Sequence, residues 1–364
     1  MMKAHDPNQL PADLPVPIDD GACLHLRGGE LPDLSLPSTS GERVSLRALR
    51  SPTVLFFYPR TGVPGQPPSL GFRGEEWDSI PGARGCTPQS CGFRDLHEEF
   101  RALGIAVFGV STNTDEHQRE FKARQHVAFE FLSDSELRLT RGMNLPTFEF
   151  PVESGGPTTL LRRMAWFVTP DLDGLPRIRR VWYPVFPPDR NAGDVLAYVK
   201  RREAVVVREK RVGDASFVRE ELTKHWGGTQ IWSIGRAFAA DEIPALIAEV
   251  DGKPAGLLTY DVHPGGYQFE VVTLSTRVER LGVGARLLEA AEDIARHARC
   301  TRIFLTTTND NTGAMTMYQR EGWELAALHR GNVDEARKRK AQIPLFGNFG
   351  IRVRSELELE KWLE

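Results

Sequence analysis

The pattern of apolar and polar positions changes character near residues 201–204. Before that point, buried-looking runs alternate with amphipathic ones. LSLP at 34–37 reads as a short strand, STSGE as a turn and VSLRAL as a short element. TVLFFY at 53–58 is apolar nearly throughout, the pattern of a strand covered on both faces. In FRDLHEEFRALG, Phe93, Leu96, Phe100 and Leu103 share one helical face, and Gly104 ends it. IAVFGVST, FEFLSD and RRMAWFVTP read as further strands. HQREFKARQHV and AGDVLAYVKRR (192–202) read as helices. This alternation predicts an α/β sandwich.

REAVVVREK opens a second pattern. DASFVREELTKHW reads as a helix, and ALIAEVDGKPAGLLTYDV as a hairpin turning at DGKP. YQFEVVTLST is a long strand with Glu270 inside it. VERLGVGARLLEAAEDIARHARC is a glycine turn followed by an amphipathic helix. TRIFLTTT reads as a strand, NTGAMTMYQREG as a helix ending at Gly322, and WELAALHR as a strand. The expected organisation is an N-terminal arm over 1–23 and two α/β domains over 24–202 and 203–364.

A length of 364 residues suits two domains. A net charge of −3 argues against a nucleic-acid or membrane-surface binder. No apolar run approaches the ~20 residues of a membrane-spanning helix. The N-terminus, MMKAHDPNQLPADLPVPIDDGA, is polar and proline-rich and lacks the apolar core of a signal peptide. It is expected to be a flexible arm on a cytoplasmic protein.

Of the four cysteines, Cys86 and Cys91 stand close together. A metal clip, a structural disulfide and a redox pair are the alternatives. A reducing cytosol disfavours the structural disulfide. A zinc clip normally has tighter spacing and two further ligands. The preceding Pro/Gly loop and following helix place Cys86 at a helix N-terminus, where the macrodipole lowers a thiol pKa. Cys23 and Cys300 have no such setting, and Cys300 reads as a buried structural thiol.

GCTPQSCGFRD at 85–95, with FFYP at 56–59 and RRMAWFVTPDLDG at 162–174, resembles the peroxiredoxins of the bacterioferritin-comigratory type. The resemblance spans about residues 24–200. It implies a thioredoxin-like fold, a peroxide substrate and a thioredoxin-like or small-thiol reductant. It implies that Cys86 is the peroxidatic cysteine, whose thiolate attacks the O–O bond and becomes a sulfenic acid. Cys91 is then the resolving cysteine. Arg163, or its neighbour Arg162, stabilises the thiolate and polarises the peroxide, and Pro59 shields the thiol. The family has a threonine three residues before this cysteine; here Ala83 stands there. RTGVPGQPPSLGFRGEEWDSIPGARG separates Pro59 from Cys86, so the loop carries an insertion over 62–82; with the insertion beginning after it, Thr61 supplies the missing hydroxyl. On an intact helix, residues five apart have Cα atoms on the order of 8–9 Å apart. A disulfide requires less than about 7 Å. Joining Cys86 to Cys91 therefore requires unwinding the first helical turn.

The second glycine turn, RLGVG at 280–284, opens a helix, so its backbone N–H groups can face an anion. It lacks the third glycine and acid of a dinucleotide fingerprint, and the lysine of a nucleoside-triphosphate loop. A pyrophosphate-bearing cofactor of another kind is indicated. TTTNDNTGAMTMYQREGW then places Ala314 three residues and Tyr318 seven residues after Asn311. Together these resemble the GCN5-related N-acetyltransferases over about residues 204–364. The resemblance implies that acetyl-CoA is bound with its pyrophosphate on the backbone of Arg280, Leu281, Gly282, Val283, Gly284 and Ala285. Tyr318 donates a proton to the departing thiolate. Strand groups near Val272, Thr273 and Leu274 hold the thioester and its oxyanion. Glu270 is the general-base candidate for an amine acceptor. Asn311 contacts the cofactor, caps its helix, or both. The acceptor is not readable, although the segment from His329 to the C-terminus is placed to shape its pocket. The whole reads as a peroxidase–acetyltransferase fusion, compatible with a homodimer. Its rivals are an acetyltransferase carrying a redox-sensing or dimerising module, and a non-enzymatic signalling module that binds CoA.

Overall fold

The computed structural model describes residues 10–62, 75–150 and 158–363. Residues 1–9 of the expected arm and 63–74 of the insertion lie outside them. The chain divides into two compact units, 1–198 and 199–364.

The first unit is built on a five-stranded sheet. Its order is Glu130–Ser133, Ala106–Ser111, Thr53–Phe57, Met164–Pro170, Pro176–Trp182. The first three strands run parallel, and the last two add antiparallel. Thr53–Phe57 is central and buried at every position, which is why it carries no polar alternation. On one face Phe56 stacks on Phe93 with ring centroids 4.4 Å apart, and this anchors the helix Cys86–Asp95 to the sheet. Gly109 lets that face close: a Cβ there would lie 2.4 Å from Phe131 and 2.8 Å from Phe56. On the other face Leu55, Phe57 and Trp166 join a core that includes Leu26, Leu36 and Cys23.

The expected helix over FRDLHEEFRALG is two helices, Cys86–Asp95 and His97–Ala102. Leu96 leaves helical geometry (φ −98°, ψ 4°), while Phe93 and Phe100 are both buried in the core. Residues 10–23, expected to be an arm outside the fold, lie against this unit. Tyr183 donates a hydrogen bond to Asp20 (3.0 Å), and Cys23 is buried beside Met164.

The second unit is a seven-stranded sheet. Its order is Val205–Glu209, Ala245–Val250, Lys253–Val262, Gln268–Thr276, Arg302–Thr308, Glu356–Trp362, Glu324–His329. The expected hairpin turns at Asp251-Gly252, both at positive φ, and Lys253 already begins the next strand. The helix Val283–His297 packs Leu287, Leu288, Ala291 and Ala295 into the core. The acidic tail is itself a strand, Glu356–Trp362, inserted between its two neighbours. No described helix is long and apolar enough to cross a membrane.

Candidate active sites

Cys86 is the first residue of its helix, preceded by Gly85 at φ 108°. A side chain at position 85 would collide with Pro188 (2.3 Å) and meet Leu10 at 3.0 Å, so the left-handed glycine also gives the chain its closest approach here. Cys86 is buried, and Arg163 Nη2 lies 3.4 Å from its Sγ. The guanidinium is itself held on all sides. It donates to the carbonyls of Gly82 (3.2 Å), Ala83 (3.0 Å) and Arg84 (3.3 Å), and to Gln89 Oε1. Gln89 donates in turn to Asn191 (2.9 Å). A buried, fully directed cation thus stands beside the sulfur at the start of the helix. Of the two adjacent arginines only Arg163 makes this contact; Arg162 lies over the Phe148 ring at 5.9 Å.

Arg163→Met is expected to slow alkylation of Cys86 at neutral pH by roughly tenfold to a hundredfold, the value of a charge-assisted hydrogen bond. Because Arg163 also ties down the loop, Arg163→Lys is the companion variant. Partial recovery of the rate by lysine would assign the effect to charge, and equal loss in both would assign it to loop collapse. Iodoacetamide kinetics with peptide mapping reads the difference.

The other expected residues fall as follows. Pro59 is buried just beyond the central strand. Cys91 lies in the same unbroken helix as Cys86, half-buried, with its thiol donating to Gln125 Oε1 (3.5 Å). Burial pushes its pKa up, with Arg94 opposing. All four cysteines are free thiols. Burial pushes Cys23 up to about 12 and also raises Cys300. Thr61 does not stand in for the missing hydroxyl through any bond to Cys86. Its Oγ1 pairs with His117 Nε2 (3.0 Å) and its N–H donates to Asn113 (3.3 Å). Ala83 sits in an apolar cluster with Trp77, Phe150 and Leu160, surroundings that give a threonine hydroxyl little to bond. The described end of the insertion forms this cluster.

In the second unit, Gln268–Thr276 and Arg302–Thr308 run parallel only from Gln268↔Arg302 to Val271↔Leu305. Beyond that the two strands have no shared ladder. At the same place the pairing with Lys253–Val262 slips between Thr259/Tyr260, leaving Val272 as the extra, bulged residue. The strand edge at Val272, Thr273 and Leu274 thus faces an opening in the sheet. The Thr273 and Thr259 hydroxyls pair at 2.7 Å, and Leu274 packs on the core.

Arg280 (φ 64°) and Gly282 (φ 77°) are both left-handed and turn the chain into the helix Val283–His297. Leu281 and Val283 pack on the core beneath. The first helical bond there is Arg286 N–H to Gly282 O (3.0 Å), which leaves the N–H groups of Val283, Gly284 and Ala285 at the open end. Gly284 lies against Met317, where a Cβ would come within 3.1 Å of the sulfur. Met317 belongs to the helix Thr312–Arg320, so the glycine also sets the spacing between the two helices. Asn311 caps that helix, accepting from Ala314 N–H (3.3 Å) and donating to Thr307 Oγ1 (3.1 Å). Tyr318 is buried and packs on Trp323. Burial pushes its phenol pKa up, so it keeps its proton through neutral pH. Glu270 is 1% exposed on the same strand as the opening. Its Oε2 accepts from Arg236 Nη1 (3.0 Å) and lies 2.7 Å from His263 Nε2. Arg236 and His263 carry no sequence signal: one sits in an unforeseen hairpin, Gln230–Ser233 with Arg236–Ala239, and the other at a turn.

Residues 26–171 match the Redoxin family model, and residues 215–323 match the acetyltransferase (GNAT) family model. The uncharacterized protein YdhI of Bacillus subtilis (strain 168) is 35% identical over 144 residues, covering 39% of this chain and 89% of that protein. Peroxiredoxin Bcp of the same organism is 31% identical over 119 residues, covering 32% of this chain and 63% of its own length. The chloroplastic peroxiredoxin Q of Oryza sativa subsp. japonica is 26% identical over 171 residues, covering 47% of this chain and 64% of that one.

Proposed function

This chain belongs to the redoxin family through its first unit and to the acetyltransferase (GNAT) family through its second, and on that premise we propose that it is a thiol peroxidase and an N-acetyltransferase on one polypeptide. The observation that carries the first activity is the contact of Arg163 with the Cys86 sulfur. The Cys86 thiolate attacks the terminal oxygen of a hydroperoxide. The O–O bond breaks, the alcohol or water leaves with a proton, and the sulfur becomes a sulfenic acid. The Cys91 thiol displaces water from it to form a disulfide. A thioredoxin-like or small thiol then returns both cysteines to the reduced state. Arg163 stabilises the thiolate and the charge that develops on the peroxide.

The second activity rests on the opened strand edge beside the glycine turn. Acetyl-CoA, the co-substrate of the GNAT family, lies with its pyrophosphate on the N–H groups of 282–285 and its thioester along Val272–Leu274. An amine attacks the thioester carbonyl, Glu270 takes up a proton, and the thiolate of CoA leaves with the proton of Tyr318. Asn311 shapes this end of the site as a helix cap.

One observation favours a narrower reading of the first unit. Ala83 and the apolar cluster replace the family's hydroxyl, as expected if Cys86 is oxidised as a sensor and turns over slowly. Steady-state peroxide consumption with dithiothreitol or thioredoxin separates the two: sustained turnover supports the peroxidase, and one equivalent followed by a halt supports the sensor.

Oxidation is expected to join Cys86 to Cys91 within one chain and to melt the start of the helix Cys86–Asp95. The intact helix holds their Cα atoms on the order of 8–9 Å apart, beyond disulfide reach. Non-reducing peptide mapping should find one peptide lighter by the mass of the lost thiol hydrogens, with faster amide exchange over 86–92. Bridges found only between chains would place the resolving thiol on another copy.

A further inference from the structure

The start of the helix Cys86–Asp95 is held from three sides. Arg163 donates to the carbonyls of Gly82, Ala83 and Arg84, the loop that leads into Cys86. Pro188 packs on Gly85, and Asn191 accepts from Gln89 (2.9 Å) in the first turn. The third side is residues 10–20, which precede the stretch matched to the redoxin family. Leu10 lies on Gly85, where a Cβ would stand 3.0 Å from its Cδ2. Pro17 lies on Gly82, where a Cβ would stand 3.6 Å from its ring. Farther along, Asp20 accepts from the Tyr183 hydroxyl (3.0 Å).

The third support is the weakest. Apart from the turn that Asp19 and Asp20 cap, the Tyr183–Asp20 bond is the one hydrogen bond between 10–20 and the rest of the unit among the described residues. Between Leu10 and Asp20 the segment bridges a cavity of about 230 Å³ that reaches Arg162, Arg163 and Val185. Val16 and Ile18 on its rim are 65% and 87% exposed. A segment with so little buried contact detaches far more readily than the unit opens.

We propose that residues 10–20 are a strap that holds the helical form of Cys86–Asp95 and so acts as a brake on disulfide formation. The inference rests on the thiol-peroxidase reading above. Attack on a peroxide uses the folded loop, with Arg163 beside Cys86. Joining Cys86 to Cys91 requires the first turn to unwind, which moves Gly85 from the position on which Leu10 packs. A closed strap is therefore compatible with the first step and opposes the second. The sulfenic acid of Cys86 then has two fates. With the strap released, the Cys91 thiol displaces water and an S–S bond forms. With the strap closed, a second hydroperoxide gives an oxygen to the sulfur. Its O–O bond breaks, an alcohol or water leaves, and Cys86 becomes a sulfinic acid. The strap sets the ratio between these two products.

The test uses the full chain, hydrogen peroxide and two variants away from the reacting groups. Leu10→Ser removes the contact on Gly85. Tyr183→Phe keeps the ring and removes the bond to Asp20. Reduced protein is mixed with one equivalent of peroxide and quenched at intervals. Peroxide loss and the Cys86–Cys91 disulfide are followed separately, the second by peptide mapping. Peroxide loss should keep its wild-type rate in both variants. Disulfide formation should quicken by about tenfold in Leu10→Ser, the effect of losing one packed apolar side chain, and by about threefold in Tyr183→Phe. With peroxide in excess, the yield of sulfinic acid should fall in the same order. Disulfide rates no faster than wild type in both variants, or faster peroxide loss with an unchanged disulfide rate, would overturn the inference and leave the peroxidase reading intact. A wild-type chain that never joins Cys86 to Cys91 would remove the resolving step of that reading, and the inference with it.

Discussion

Cys86→Ser is expected to abolish thiol-dependent peroxide reduction, by at least about a thousandfold, because an alkoxide is not formed at neutral pH where a thiolate is. Serine differs from cysteine by one atom and sits at a helix start that tolerates it, so the fold should survive. Cys91→Ser should behave differently. It keeps the attacking sulfur, the helix N-terminus and Arg163, so it should consume one equivalent of peroxide and stop at the sulfenic acid. A stopped assay, with dimedone to trap that acid, distinguishes the two variants. Steady-state turnover by Cys86→Ser would place the reactive sulfur elsewhere. Both substitutions lie within the first unit, and acetyl-CoA-dependent chemistry should be unchanged in both.

Gly282→Asp is expected to erase stabilisation of the chain by acetyl-CoA. A ligand that binds only the folded state adds about 2.7 kcal/mol at a hundredfold excess over Kd. Nothing in the protein lies within 4 Å of a Cβ at position 282, so an aspartate meets no protein atom. The cost to the free chain is that of a left-handed non-glycine residue, on the order of 1 kcal/mol and less for aspartate than for most. The penalty on binding is larger: a carboxylate stands where the pyrophosphate must approach the N–H groups of Val283–Ala285. Tyr318→Phe is the control with the opposite profile. The ring stays packed on Trp323 and the thermal shift persists, while acetyl transfer slows by about a hundredfold for want of a proton donor. A folded Gly282→Asp protein that keeps the shift would move the CoA site away from this turn.

The elements that could be read from the chain are those whose burial is uniform or strictly periodic. TVLFFY and MAWFVTP are buried almost end to end, and the helix at 283–297 has an unbroken apolar stripe. The strand Glu356–Trp362 stayed hidden because ELELEKW reads as a solvated tail. Its glutamates are tolerated inside the sheet because Arg302 meets Glu358 and Glu360, and His329 meets Glu358. The hairpin at 230–239 has strands too short for periodicity to register. The break at Leu96 is set by how Phe93 and Phe100 reach the core, and no local signal marks it.

The candidate sites divide in the same way. Cys86, Cys91 and Gly282 stand in contiguous motifs, so the sequence alone singles them out as candidates. Arg163 was narrowed to a pair, and only its contact with the sulfur separates it from Arg162. Gln89, Arg236 and His263 meet their partners across distant segments of the chain, so these contacts emerge only once it is folded. Asn311 is open to two roles in the sequence, and its helix-cap bonds account for both ends of its side chain.

The central claim is that one chain carries two separate chemistries, and one preparation tests it. Wild-type and Cys86→Ser proteins are assayed side by side for hydrogen peroxide consumption with thioredoxin and for CoA release from acetyl-CoA with an amine panel. The account predicts that wild type performs both reactions and that Cys86→Ser loses the first and keeps the second. A wild-type chain that consumes no peroxide beyond one equivalent, or a Cys86→Ser chain that loses acetyl transfer as well, would contradict it.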